Sequence, residues 1–153
     1  MVKKLIALTV ATAFFVSASM AGAEERASKK EAEAMVKKAV ALYKKEGDKS
    51  FAQFTAPSKA FVNKDLYIVA YDLSGKCMAH GQNAKQVGKE LIGMKDPDGK
   101  PFIKERVELA KAKGTFWQDY KFTDPLTKKV MPKVMYCEKA DDKSIICGGV
   151  YKE

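Results

Sequence analysis

A chain of 153 residues with 28 basic against 19 acidic side chains, a net charge of +9, can form one hydrophobic core and is too short for two. Its lysines are scattered in pairs such as Lys37-Lys38, Lys44-Lys45 and Lys128-Lys129, and arginine occurs only at Arg26 and Arg106, so the dense arginine-aromatic stripe of a nucleic-acid-binding protein is missing. Such a charge favours anionic ligands, acidic surfaces or lipid headgroups through its general field.

The chain opens with Lys3 and Lys4, an apolar run from Leu5 to Val16 and the small residues Ala21-Gly22-Ala23. This is the pattern of a signal peptide spanning residues 1–23, with the domain in 24–153. An uncleaved anchor is the other reading, but Thr9, Thr12, Ser17 and Ser19 make the run weak for a span of about 20 residues. The expected product is exported and periplasmic.

Ala32, Met35, Val36, Ala39, Val40 and Tyr43 recur near the 3.6-residue period, so residues 24–47 are predicted to form one long amphipathic helix ending at Gly47. Asp48 is placed to cap a short second helix through Phe51 and Phe54, before Pro57. Leu66 to Tyr71 reads as a strand, and Asp72-Leu73-Ser74-Gly75 as a turn returning through Cys77 to Ala79. Ala84 to Met94 reads as a short helix, Asp96-Pro97-Asp98-Gly99 as a turn, and Pro101 to Gly114 as another helix. Three strands follow, Phe116 to Phe122, Val130 to Glu138 and Ser144 to Tyr151. Helices inserted among antiparallel strands predict an α+β domain, a five-stranded sheet with helical cover.

Of the three cysteines, Cys137 and Cys147 flank the Asp141-Asp142-Lys143 turn symmetrically, so a hairpin would set them opposite each other. Their disulfide is the first choice in an oxidising compartment, pairings with Cys77 remaining open. No Cys-x-x-Cys-His or Cys-x-x-Cys motif points to haem or redox chemistry, and no cofactor is expected.

His80, the single histidine, has no ligand partners at metal-binding spacing and no nucleophile motif nearby. A hydrogen-bonded structural histidine and a ligand contact are the two readings, with a catalytic role a distant third. Asp96-Pro97-Asp98-Gly99 fails as a calcium loop because Lys100 and Val107 fall where ligands are needed. Lys133 lies among Val130, Met131, Val134, Met135 and Tyr136, where an ammonium is costly to bury without an anion; strand alternation alone favours pointing it to solvent. Tyr67, Val69 and Tyr71 share one strand face, Trp117, Asp119 and Lys121 another, and Tyr120 and Phe122 the opposite side of that second strand.

The ordered series Tyr71-Asp72-Leu73-Ser74-Gly75, Ala79-His80-Gly81, Val87-Gly88-Lys89, Asp96-Pro97-Asp98-Gly99-Lys100-Pro101-Phe102, Gly114-Thr115-Phe116-Trp117, Pro132-Lys133-Val134-Met135-Tyr136 and Gly148-Gly149-Val150-Tyr151 resembles the single-Cache family. These are PAS-like extracellular modules that bind small molecules on bacterial sensors. The resemblance implies a PAS-like fold with a long N-terminal helix, a non-enzymatic binding role, and Lys133 contacting the carboxylate of a small ligand. It marks Tyr71, His80, Trp117 and Tyr136 as the remaining ligand-binding residues. Gly81 stands where the family often has a proline after that histidine.

The leading expectation is therefore an exported module binding a small anionic metabolite, a short carboxylate, and signalling through a separate membrane-bound sensor partner. That partner is expected because neither a second span nor an output domain follows the module. A homodimer through the N-terminal helix is a further expectation drawn from the resemblance. The alternative is a structural or interaction protein of the cell envelope using its basic surface; an exported enzyme ranks last.

Overall fold

The computed structural model describes residues 25–152. The predicted signal peptide lies outside the described residues. Helix α1 spans Lys29–Glu46 and begins in a reciprocal cap: Ser28 Oγ accepts from the Glu31 N–H, and the Glu31 carboxylate accepts from the Ser28 N–H at 2.7 Å. Its buried stripe, Ala32, Val36, Ala39, Val40 and Tyr43, follows the predicted periodicity, and Gly47 ends it. Asp48 does not cap the next helix. The chain stays helical through a 3₁₀ turn, Gly47–Ser50, into α2 (Phe51–Phe54), and the Phe51 N–H is already bonded to the Asp48 carbonyl.

Six strands follow rather than five: β1 (Val62–Asn63), β2 (Leu66–Asp72), β3 (Cys77–His80), β4 (Thr115–Thr123), β5 (Val130–Lys139) and β6 (Ser144–Tyr151). The extra strand, β1, is a two-residue pairing with the start of β2, too short to leave an alternating signal. The sheet is antiparallel in the order β1-β2-β6-β5-β4, with β3 also paired to β2. Strand β6 is central and buried on both faces, which accounts for its unbroken run of small and apolar residues. Strand β4 alternates exposed and buried side chains over its first six residues.

One face packs on α1 and α2 through Val36, Val40, Phe54, Ile68, Ala70 and Ile146. The other packs on α3 (Phe102–Lys113) through Ile103, Val107, Val69, Met135 and Ile145. The helix predicted over Ala84 to Met94 is absent apart from a 3₁₀ turn at Ala84–Gln86. Its backbone bonds sideways instead: the Gly88 N–H donates to the Cys77 carbonyl, the Cys77 N–H to the Lys89 carbonyl, and the Leu91 N–H to the Gly75 carbonyl. Those edge bonds replace the helical ones and lay the segment along β3.

Cys137 and Cys147 are direct partners across β5 and β6, with Cα atoms 4.1 Å apart, and form a disulfide. Cys77 is free and buried, and burial pushes its thiol up to about 11. Replacing Cys137 and Cys147 by alanine is expected to cost about 2 to 3 kcal/mol in chemical denaturation, the usual effect of opening so short a loop. Cys77 should resist alkylation until the chain unfolds; rapid labelling of the native protein would contradict its burial.

Candidate functional site

The α3-side face of the sheet is unusual for a core because it contains two fully buried cations. Lys133 and Met135 point to the same side of β5, and Lys133 is entirely withdrawn from solvent. This overturns the solvent-facing reading of the bare strand pattern. The physical reason lies on the neighbouring strand, where Gly149 stands opposite Met135. A Cβ on Gly149 would come within 2.6 Å of the Val134 carbonyl and 3.1 Å of Lys133 Cε, so the absent side chain makes room for the lysine stem to cross β6.

The ammonium ends in an aromatic cage, 4.0 Å from the centre of the Tyr67 ring and 4.6 Å from that of Tyr151. Its hydrogen-bond partner is the Tyr151 hydroxyl at 3.4 Å, a group that itself donates to the Thr123 carbonyl at 2.6 Å. Ring faces offset about 2 kcal/mol of a buried cation, whereas desolvation costs several. Burial, with Arg106 adding repulsion, therefore holds the Lys133 pKa well below the usual lysine range, although Asp65 and Asp124 pull the other way.

Arg106 comes from α3 and is 1% exposed. Its Nε donates to Gln118 Oε1 at 3.0 Å, while both terminal nitrogens lack a hydrogen-bond partner. The guanidinium sits over the rings of Tyr71, Phe102 and Tyr120, at 5.3, 5.4 and 5.1 Å. Sequence reasoning passed over it, yet a signal existed: Phe102, Ile103, Arg106, Val107 and Ala110 form one helical stripe, with an arginine inside the apolar face.

On this side of the sheet lies a cavity of about 10 Å³, walled by Tyr67, Tyr71, Phe102, Tyr120 and Phe122 and bordered by His80. Beside it, an open groove of about 330 Å³ runs past Tyr67, His80, Asn83 and Asp124. The ring of His80 is buried and stacks on Tyr67 at 5.3 Å. Its Nδ1 accepts from the Gln82 and Asn83 N–H groups at 3.2 and 3.1 Å, which puts the proton on Nε2. Gly81 makes this turn fit. Its N–H donates to the Ile68 carbonyl at 2.9 Å, and a Cβ there would meet Tyr67 Cβ at 2.9 Å.

Tyr71, His80 and Lys133 are thus brought to one side of the sheet. Trp117 and Tyr136 are not. They pair with each other at 5.0 Å on the α1 side, where Lys29 lies over the indole and the Tyr136 hydroxyl donates to Glu138. Strand alternation put Trp117 opposite Tyr120 correctly, and the cavity lies on the Tyr120 side. Among the described residues no three His, Cys, Asp or Glu side chains cluster as a metal site.

This geometry can be set against known proteins. The model of the family described as "Single Cache domain 2" matches residues 2–152. The chain belongs to that family. A sensor histidine kinase of Rhizobium johnstonii, MctS, is 33% identical over 89 residues, covering 58% of this chain and 19% of the kinase. The chain thus spans about a fifth of the length of that relative. In solved structures, the fold is shared with a methyl-accepting chemotaxis protein from Vibrio parahaemolyticus, with a TM-score of 0.68, 22% identity, and coverage of 80% of this chain and 87% of that one. It is also shared with a Cache chemosensory domain described for carboxylic acid recognition, with a TM-score of 0.64, 21% identity, and 81% and 88% coverage. The molecule is thus a single Cache domain, with a fold also seen in those two solved chemosensory structures.

Burial first, then the charges of Lys133 and Arg106, push the His80 imidazole down to about 4 from 6.5. The native state of this Cache domain therefore refuses a proton that the unfolded chain accepts below pH 6.5. Stability is complete above that value and falls as pH drops towards 4, by about 3 kcal/mol from this group alone. Urea denaturation at pH 7 and pH 4.5 should show a smaller loss in His80→Asn than in the wild type. Equal losses would mean that His80 is protonated in the native state.

Proposed function

We propose that this Cache domain is exported to the periplasm after cleavage at residue 23, binds a short carboxylate beside Lys133, and reports its occupancy to a separate membrane-bound sensor protein. Lys133 carries the reading: a wholly buried ammonium whose polar partner is one tyrosine hydroxyl at 3.4 Å. A carboxylate moving in from the cavity would displace a ring face and supply the charge that the lysine lacks. His80 Nε2–H and the Tyr71 hydroxyl would donate to its oxygens. The cavity as it stands has room for about one water, so a carboxylate enters only by moving the ring faces, and the carboxylic acid recognition described for one structural relative supports a short one. Trp117 and Tyr136 have no part in this site. No helix among the described residues is long and apolar enough to cross a membrane.

The exposed face of α1 bears Lys30, Lys37, Lys38, Lys44 and Lys45. Lys37 is paired with Glu33 on the same helix, and the remaining lysines suit an acidic partner surface. That patch also supports the second reading, an envelope interaction protein that binds through charge alone.

A thermal-shift panel of C2 to C4 carboxylates and amino acids, followed by calorimetric titration of the best, tests the proposal, because a ligand bound only by the native state must raise its stability. Lys133→Met should weaken binding at least about tenfold, the effect of losing one charge-assisted hydrogen bond. The unliganded variant should melt no lower than the wild type, because methionine fills the same space without a charge. Affinity should also fall as pH rises through the lowered Lys133 pKa, since only the ammonium form attracts the anion. A panel in which no carboxylate raises the melting temperature would leave the interaction reading in possession.

A further inference from the structure

We infer that the groove between α1 and the segment leading into β1 is the docking site for an acidic amphipathic helix of a partner protein. The inference rests on the reading that the domain acts through a separate partner, and it says where on this chain that partner is held and by what chemistry. Lys38, Ala41, Leu42 and Lys45 fall at i, i+3, i+4 and i+7 of α1 and so stand on one face of the helix. Ala60 and Phe61, just before β1, form the facing wall of an open groove of about 410 Å³. Its middle is apolar, made by Ala41, Leu42, Ala60 and Phe61, with a lysine on either side of it along the helix axis.

Those two lysines are not neutralised from within the chain. Lys37 meets Glu33 on its own helix, but among the described residues neither Lys38 nor Lys45 makes an ion pair, and no carboxylate stands on the groove wall. The Lys38 ammonium lies over the Phe61 ring instead, 5.5 Å from its centre. Glu46, next to Lys45 in sequence, accepts a hydrogen bond from Gln53. Lys44 and Lys59, both exposed, add the same sign of charge beside Lys45 and Ala60. An apolar strip with an unpaired cation at each end is complementary to a helix that carries leucines between two carboxylates. Positions i and i+7 lie about 10.5 Å apart on any α-helix, so acids at that spacing on the partner match Lys38 and Lys45. A lipid surface fits less well, because it is flat and the apolar strip is recessed between α1 and its facing wall.

The probe is a synthetic helical peptide with glutamates at i and i+7 and leucines at i+3 and i+4, titrated into the isotope-labelled protein and followed by NMR. Shifts are expected at the α1 face and at Ala60 and Phe61, and not around His80. A peptide with glutamine in place of glutamate should bind at least about fivefold more weakly, and high salt should weaken the glutamate peptide. The double variant Lys38→Glu, Lys45→Glu should lose the glutamate peptide by a similar factor and gain the matching lysine peptide. It should melt with the wild type, since both side chains are exposed. Absent shifts, shifts centred elsewhere, or a glutamine peptide that binds equally well would each overturn the inference. So would the same residues responding to vesicles of phosphatidylcholine and phosphatidylglycerol, which would make the occupant a lipid surface. Their responding to protein concentration alone would overturn it too, by making the occupant a second copy. The titration contains no small carboxylate, so its failure leaves the Lys133 reading standing, and a failed carboxylate panel leaves this inference standing.

Discussion

A lysine threaded through the middle of a sheet is the constraint on which the rest of this structure turns. Its stem passes over β6 only because Gly149 has no side chain, and its head is enclosed only because Tyr67, Phe122 and Tyr151 meet around it. The register of β5 against β6 must place Lys133 opposite Tyr151 and Met135 opposite Gly149. The Cys137–Cys147 disulfide lies on the same pair of strands, on the same face as Lys133, and fixes that register covalently. A slip of one residue would turn every side chain of β5 over and leave the ammonium against α1.

Around this cation the acids are deliberately occupied elsewhere. Asp65 takes the Tyr151 and Ala27 N–H groups, and Asp124 gathers its loop through Leu126 and Thr127 while bonding Arg26 at 2.9 Å. Burial opposes the charge on Asp124, but the bonds from Arg26 and Thr127 hold its pKa down to about 2. Arg26 and Ala27 precede α1 directly, so the start of that helix is tied to the strand end that carries Tyr151. One residue, Tyr151, thereby touches both systems. Its hydroxyl meets Lys133, and its backbone N–H meets the carboxylate that anchors the N-terminal segment. A change at the lysine has a short physical route to α1.

Much of the fold was legible because its signals were periodic. The α1 stripe, the ends of α3 and the three C-terminal strands fell within a residue or two of their predicted places. The segment from Ala84 to Met94 misled because Val87, Leu91 and Ile92 mimic a helical stripe, whereas Val87 and Ile92 are exposed and the backbone bonds to β3. The site was harder to read. Tyr71, His80 and Lys133 were marked by resemblance to the family, but the burial of Lys133 depended on Gly149, sixteen positions away and invisible to any local pattern. Trp117 and Tyr136 were chosen as aromatic residues in the right motifs, and alternation could not say which face held the cavity. Arg106 was missed because a lone charge on a helix is normally solvated; only its place within the apolar stripe set it apart.

The chemistry of the enclosed space is one-sided. Lys133 and Arg106 donate, and His80 presents Nε2–H because both loop N–H groups occupy Nδ1. At neutral pH the imidazole is uncharged and adds a donor without adding another buried charge. Among the residues walling the cavity there is no carboxylate, and Asp124 reaches only the outer groove, where Arg26 engages it. The polar groups that face this space are therefore donors, with the Tyr151 hydroxyl already committed to the Thr123 carbonyl. With no carboxylate within this wall to pair its cations, the protein covers them with the faces of its own tyrosines.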